Sequence, residues 1–194
     1  MITPDTPILS SPSGTHDQCI QYILNHPHGE YNEEDVATIV SGYFVTCEQV
    51  GMDAVMVIAQ MIHETGNLSS WWSQRPRRNP AGIGVTGRST TAIEKPKGAW
   101  EQKGPVWLEG MAFKSWAQES IPAHVGRLLA YALHDGQGTA HQHHLAGYAM
   151  GIRPLPASFR GAASTWKGLQ GRWAVPGAFY IRGIIAIADR IIAL

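Results

Sequence analysis

The chain has 194 residues, 44% of them hydrophobic and 15% charged, with fifteen basic side chains against fifteen acidic ones. That length suits one domain with a real core and leaves little room for a second. Balanced charge supplies no footprint for nucleic acid or anionic lipid, the short "RPRR" of Arg75–Arg78 notwithstanding, and no apolar run reaches the roughly 18 residues that a membrane span requires.

Residues 1–14, rich in Pro, Ser and Thr, read as a disordered leader, and residues 15–194 as the folded domain. The N-terminal stretch lacks the basic region and long apolar core of a secretory signal. Helical spacing follows over about 15–25, in "THDQCIQYILN". Asn32 is placed to cap a second helix with acidic residues in its first turn, and Gly51 to stop it. A third helix is expected from Asp53 to Glu64 or Thr65. Val55, Met56, Val57, Ile58, Met61 and Ile62 leave it no polar face, so it is buried on nearly all sides, with Gly66 as a left-handed cap.

From Asn67 to Gly110 the helical period disappears among Gly, Pro, Trp and Arg. Short strands are expected around "GIGV" and "VWLEGMAFKSW", and "EKPKGAWEQKGP" reads as a loose solvated loop. A helix resumes near Ser120 with Pro122 in its first turn. "HQHH", residues 141–144, reads as part of a polar loop, and a last helix covers about 179–193. The outline is a mainly helical α+β domain. Cys19 and Cys47 cannot form a disulfide framework, and a single bridge between them stays open.

Several motifs fail on context. "GIGVTG", Gly82–Gly87, matches G-x-G-x-x-G but has neither the preceding strand nor the following helix of a dinucleotide site. "HETGN" begins like H-E-x-x-H with Asn67 where the second histidine must stand, and "HQHH" has no nearby Cys or carboxylate, so no metal site is expected. There is no G-x-S-x-G elbow for acyl transfer. Seven tryptophans can supply core aromatics or flat faces for a sugar ring.

Glu64 is the notable carboxylate. The negative end of a helix and the apolar surroundings of the third helix both raise its proton affinity, which suits a general acid. Against this stands a solvated side chain or one paired with "RPRR".

The run "QMIHETGNLSS", Gln60–Ser70, followed by "NPAGIGVTG", Asn79–Gly87, resembles the glucosaminidases of glycoside hydrolase family 73, within the lysozyme-like superfamily. "MAFKSWAQESIPAHVGRLL" resembles that family's strand and following helix, and "RWAVPGAFYIRGIIAIADRI" its closing segment. The resemblance implies a lysozyme-like helical domain with a small irregular β-lobe. It also implies an endo-β-N-acetylglucosaminidase cutting β-1,4 bonds after N-acetylglucosamine in peptidoglycan glycan strands, with Glu64 as general acid. Muramidase or lytic transglycosylase activity on the same scaffold, or glycan binding without catalysis, are the competing readings.

Where the family has a tyrosine, Trp173 stands, able to stack on a sugar but not to offer a phenol; Tyr180 matches the family's second tyrosine, as a substrate contact or a packing residue. Trp71 and Trp72 are candidates for lining the sugar groove, and Asn79 for fixing the start of the β-lobe. Glu94, Glu101 and Glu109 are candidates for a second catalytic carboxylate, with Glu101 favoured by counting back from Phe113. No metal or organic cofactor, nucleic acid or membrane is expected to take part. The expected form is a monomer acting outside the cell or in the wall, after secretion or lysis.

Overall fold

A computed structural model describes residues 1–175, 177 and 179–194. Among the described residues there are six α-helices: α1 (His16–Leu24), α2 (Glu33–Val50), α3 (Ala54–Thr65), α4 (Ile121–Ala132), α5 (Ala140–Ile152) and α6 (Tyr180–Ile192). A three-stranded antiparallel sheet of β1 (Ser89–Thr90), β2 (Trp100–Lys103) and β3 (Val106–Glu109), in the order β1-β3-β2, forms a small lobe between α3 and α4. This is the α+β, mainly helical architecture expected. Among the described residues no helix is long and apolar enough to cross a membrane.

The helix starts follow from capping chemistry. The Thr15 and Asn32 side chains accept from the backbone N–H groups of Gln18 and Asp35, whose side chains accept in return from the cap N–H. Asp53 caps α3 by accepting from the Val55 N–H at 2.9 Å. Every residue of α3 from Ala54 to Ile62 is buried, because α1, α2 and α6 all pack around it. Gly66 closes α3 at φ 58°, where a side chain would be strained.

Asn67 and Leu68 continue in the left-handed region, at φ 57° and 64°. Such positions cost about 1–2 kcal/mol each for residues with a Cβ. Two features offset that cost: Leu68 is fully buried, and the Asn67 amide donates to the carbonyls of Ile23 and Pro27 at 3.0 and 3.1 Å. The end of α3 is thereby tied to the end of α1.

Four expectations are corrected. "HQHH" lies on α5, not in a loop. Thr139 and Gln142 form a capping box at the start of α5, and Gly126 on α4 lets the helices approach so closely that a methyl group there would meet the Leu145 carbonyl at 2.0 Å. "GIGV" is a turn, not a strand, and within "VWLEGMAFKSW" only Val106–Glu109 pairs. The loop expected at "EKPKGAWEQKGP" contains β2, held by pairing with β3.

Residues 4–8, read as part of a disordered leader, run against residues 164–167. The Ile8 N–H donates to Ser164 at 3.0 Å, the Lys167 N–H donates to Pro4 at 2.8 Å, and Ile8 is fully buried. Burial of that one aliphatic side chain, worth about 1.5–3 kcal/mol, opposes the entropy of a free tail. Cys19 and Cys47 are free thiols, both buried; burial pushes the Cys19 thiol up to about 12, and Cys47 shifts the same way.

Asn79 ties the segment that enters the β-lobe to the one that leaves it. Its Nδ2 donates to the carbonyls of Ile83 and Met111 at 2.8 and 2.9 Å, and its Oδ1 accepts from the N–H groups of Ala81 and Ile83. Three of these bonds are buried, and the one to Met111 is partly buried. Asn79→Ala is expected to cost about 2–4 kcal/mol, read as a lower denaturant midpoint at unchanged slope.

Candidate active site

Glu64 sits in the last turn of α3, and its carboxyl faces a cleft between the helical body and the β-lobe. The cleft has a volume of about 360 Å³ and is lined by the 81–85 turn on one side and by Tyr131, Trp173 and three arginines on the other. A methyl group on Gly82 would stand 3.9 Å from Glu64 Oε2, so the glycine of the turn faces that oxygen. Burial pushes the Glu64 carboxyl above the usual carboxylate range; the Tyr180 hydroxyl and the Trp173 indole N–H, which favour the anion, pull the other way.

Glu64 Oε1 is engaged from behind. The Tyr180 hydroxyl donates to it at 2.5 Å and accepts from Gln60 Nε2 at 2.7 Å. Gln60 lies one turn before Glu64 on the same face of α3. Its Oε1 is 3.1 Å from His124 Nε2, and His124 Nδ1 is 2.9 Å from the Tyr43 hydroxyl. His124 is fully buried, and burial pushes its pKa down to about 3, so the ring is neutral and carries one N–H.

Those facts fix the direction of every bond. With Gln60 donating through Nε2, its oxygen must accept, so His124 donates from Nε2 and accepts at Nδ1 from Tyr43. The chain of donors therefore runs from Tyr43 through His124, Gln60 and Tyr180 and ends on Glu64 Oε1. A proton on Glu64 resides on Oε2, the oxygen that faces Gly82 and the cleft.

The other sequence-derived candidates divide. Trp173 lines the cleft and packs its ring 5.8 Å from His124 and 5.7 Å from Tyr131. Tyr180 is buried beside Glu64, so it offers no ring face to a ligand, and its hydroxyl donates to the carboxyl. Trp71 and Trp72 do not line this cleft. They pack edge to face, with Arg77 3.7 Å over the Trp71 ring and Lys103 of β2 on the same ring at 5.3 Å, while Trp72 lies tight against Gly110. Both are used in joining the β-lobe to the body.

Glu101 is not among the residues lining the cleft. It stands on β2, paired with Lys95 at 3.7 Å. Glu109 accepts from Thr86 and Arg88, also outside the cleft, and Glu94 is exposed. Among the described residues lining the cleft, Glu64 is the one carboxylate.

Sequence reasoning missed Gln60, His124, Tyr131 and the arginines 127, 153 and 172. A signal existed for His124, the lone ionisable side chain on the apolar stripe of "IPAHVGRLLAYA" before Arg127, and for Gln60, one turn from Glu64 on a helix otherwise apolar up to His63. The remaining side chains converge from distant segments, which no local pattern announces.

Removing the Tyr180 hydroxyl tests the electrostatics. Tyr180→Phe takes away a donor that stabilises the Glu64 anion, so the carboxyl pKa is expected to move further up. The alkaline limb of any activity that needs protonated Glu64 then shifts to higher pH, measured as kcat/KM against pH; a downward shift would contradict the assigned bond direction.

No protein-family model matches the chain, and no curated protein matches it in sequence. Among solved structures, the chain is similar to the catalytic domain of the autolysin Auto from Listeria monocytogenes. The two share 18% identity at a TM-score of 0.46, over 94% of this chain and 86% of that one. It is also similar to an N-acetylmuramoyl-L-alanine amidase from Staphylococcus aureus, at 16% identity and a TM-score of 0.44, over 97% of this chain and 49% of that one, so the chain spans about half of that enzyme's length.

Proposed function

We propose that the chain is a peptidoglycan hydrolase, an endo-β-N-acetylglucosaminidase with Glu64 as its general acid. The observation that carries this reading is the Glu64 carboxyl itself: its proton affinity raised by burial, bonded from behind at Oε1 and open to the cleft at Oε2. Oε2 delivers its proton to the glycosidic oxygen as the C–O bond breaks, and positive charge builds on the anomeric carbon. The Trp173 ring supports the sugar next to the acid. No step in this scheme calls on a metal or organic cofactor, and a monomer working on the wall outside the cell is sufficient.

A two-carboxylate mechanism needs a partner about 5–9.5 Å away. With Glu64 the one carboxylate lining the cleft among the described residues, the acetamido oxygen of the substrate is the preferred nucleophile, forming a cyclic intermediate that water opens as Glu64 returns to its acid form. The same observation favours a second reading, a lytic transglycosylase, in which the 6-hydroxyl of the sugar being cleaved attacks its own anomeric carbon instead of water and closes an anhydro ring.

Mass spectrometry of the products from a defined glycan decides. New reducing-end N-acetylglucosamine is expected. Reducing-end muramic acid would identify a muramidase, an anhydro end a transglycosylase, and binding with no new ends a glycan-binding domain.

A further inference from the structure

Beside Glu64, the cleft contains an arrangement that proton donation does not use. Arg127 from α4, Arg153 at the end of α5 and Arg172 from the loop before α6 all line it. They gather around one tyrosine. The Tyr131 hydroxyl donates to the Arg172 carbonyl at 3.3 Å, and the Arg127 guanidinium lies 5.7 Å from both the Tyr131 and Trp173 rings while donating to the Arg153 carbonyl at 3.0 Å. The positive charges of all three lower the proton affinity of the Tyr131 phenol, although its burial, the larger effect, raises it.

None of the three has a carboxylate partner among the described residues. The ion pairs of the arginines are made elsewhere, by Arg75, Arg88 and Arg160. Arg127 bears the cost of this arrangement: burial lowers its pKa, and the neighbouring Arg153 charge lowers it further. Guanidinium groups do not deprotonate in proteins, so the cleft holds three fixed positive charges. The single acid there, Glu64, is biased toward its neutral form. In a chain whose charges sum to zero, this concentration is local. Arg127 is half-buried and Arg153 and Arg172 are exposed, and like charges lining one cleft attract an anion that enters it.

We propose that Arg127, Arg153 and Arg172 form a carboxylate-binding subsite, so that the glycan cleaved here carries an acid group on the sugar that follows the cleaved N-acetylglucosamine. This deepens the proposed glycosidase reading and names its substrate class: an acidic glycan in preference to a neutral N-acetylglucosamine polymer. Fork-shaped guanidinium groups suit a carboxylate, which accepts two parallel bonds. The cavity, about 360 Å³, lies within the range of small-ligand sites, about 300–1,000 Å³. Two sources offer that chemistry in peptidoglycan: the lactyl ether on the muramic acid ring, when unsubstituted, and the carboxylates of the peptide attached to it.

Calorimetric titration of the Glu64→Gln chain separates binding from cleavage. Three tetrasaccharide probes are compared: the free lactyl acid, the same glycan with its carboxyls reduced to alcohols, and the peptide-bearing form. The acid form is expected to bind roughly tenfold tighter than the alcohol, with a preference that weakens as salt rises and disappears in an Arg153→Gln, Arg172→Gln double variant. Tighter binding of the free lactyl acid assigns the site to the sugar substituent; tighter binding of the peptide-bearing form assigns it to the peptide. Equal affinity for acid and alcohol, no affinity for either, or a preference that survives the double variant would each overturn the subsite. If the unmutated chain prefers the acid form yet releases no new ends from it, the subsite stands and the hydrolase reading falls.

Discussion

Replacing Glu64 with glutamine is expected to slow the release of new reducing ends from purified glycan by a factor of about 10²–10⁴, while the melting temperature stays within about 3 °C of the parent. The amide is nearly isosteric with the acid. Its oxygen still accepts from the Tyr180 hydroxyl, so the bonds behind residue 64 persist. What is lost is the transferable proton on the atom facing Gly82. Parent-like activity in this variant would remove Glu64 from the chemistry, and a large fall in melting temperature would show that its role is structural.

The second large effect lies in the core. His124→Ala is expected to destabilise the chain by about 3–5 kcal/mol, a fall of roughly 6–20 °C in melting temperature for a chain of this size. The substitution opens a ring-sized void and leaves Gln60 Oε1 and the Tyr43 hydroxyl without partners in a dry interior. It also changes how stability depends on acidity. In the unfolded chain the histidine titrates near its ordinary value of 6.5; in the folded chain burial holds it down to about 3. Between those values the unfolded state binds the extra proton, so stability declines as pH falls, by about 1.4 kcal/mol per pH unit from this residue. Above pH 6.5 the stabilisation is fully present. Denaturant midpoints measured from pH 7 to pH 4 are expected to show that decline in the parent and a shallower one in His124→Ala. Equal slopes would mean that water reaches the ring.

These two residues also mark what the sequence could disclose. Glu64 was legible because its setting is local: an unbroken apolar helix, a carboxylate in its last turn and a glycine to end it. The α1, α2 and α3 boundaries were legible for the same reason, since Thr15, Asn32 and Gly66 act on their own helices. The fifth helix was hidden because three histidines and two glycines disguise its period, although Thr139 and Gln142 signalled its start. β2 was hidden because its pairing with β3 overrides a loop-like composition.

The site was harder to read than the fold. Trp71 and Trp72 looked like sugar platforms, yet the cations that cover Trp71 and the glycine under Trp72 come from residues up to 38 positions away. Glu101 was favoured by counting along the chain, which cannot reveal that Lys95 folds back onto it. The three arginines come from three segments joined only by the tertiary fold, and their significance lies in the carboxylates they lack.

The left-handed stretch at residues 66–68 bears on which parts of the molecule are free to adjust. Asn67 moors one side of Glu64 to the carbonyls at the end of α1, while Tyr180 and Gln60 brace the other. With both flanks anchored, the acid has no independent travel, and any adjustment to a bound saccharide is expected in the opposite bank, at the end of the 81–85 turn beyond the bonds that Asn79 makes to residues 81 and 83. Order parameters measured with and without bound saccharide would therefore change at the end of that turn and remain constant at residue 64.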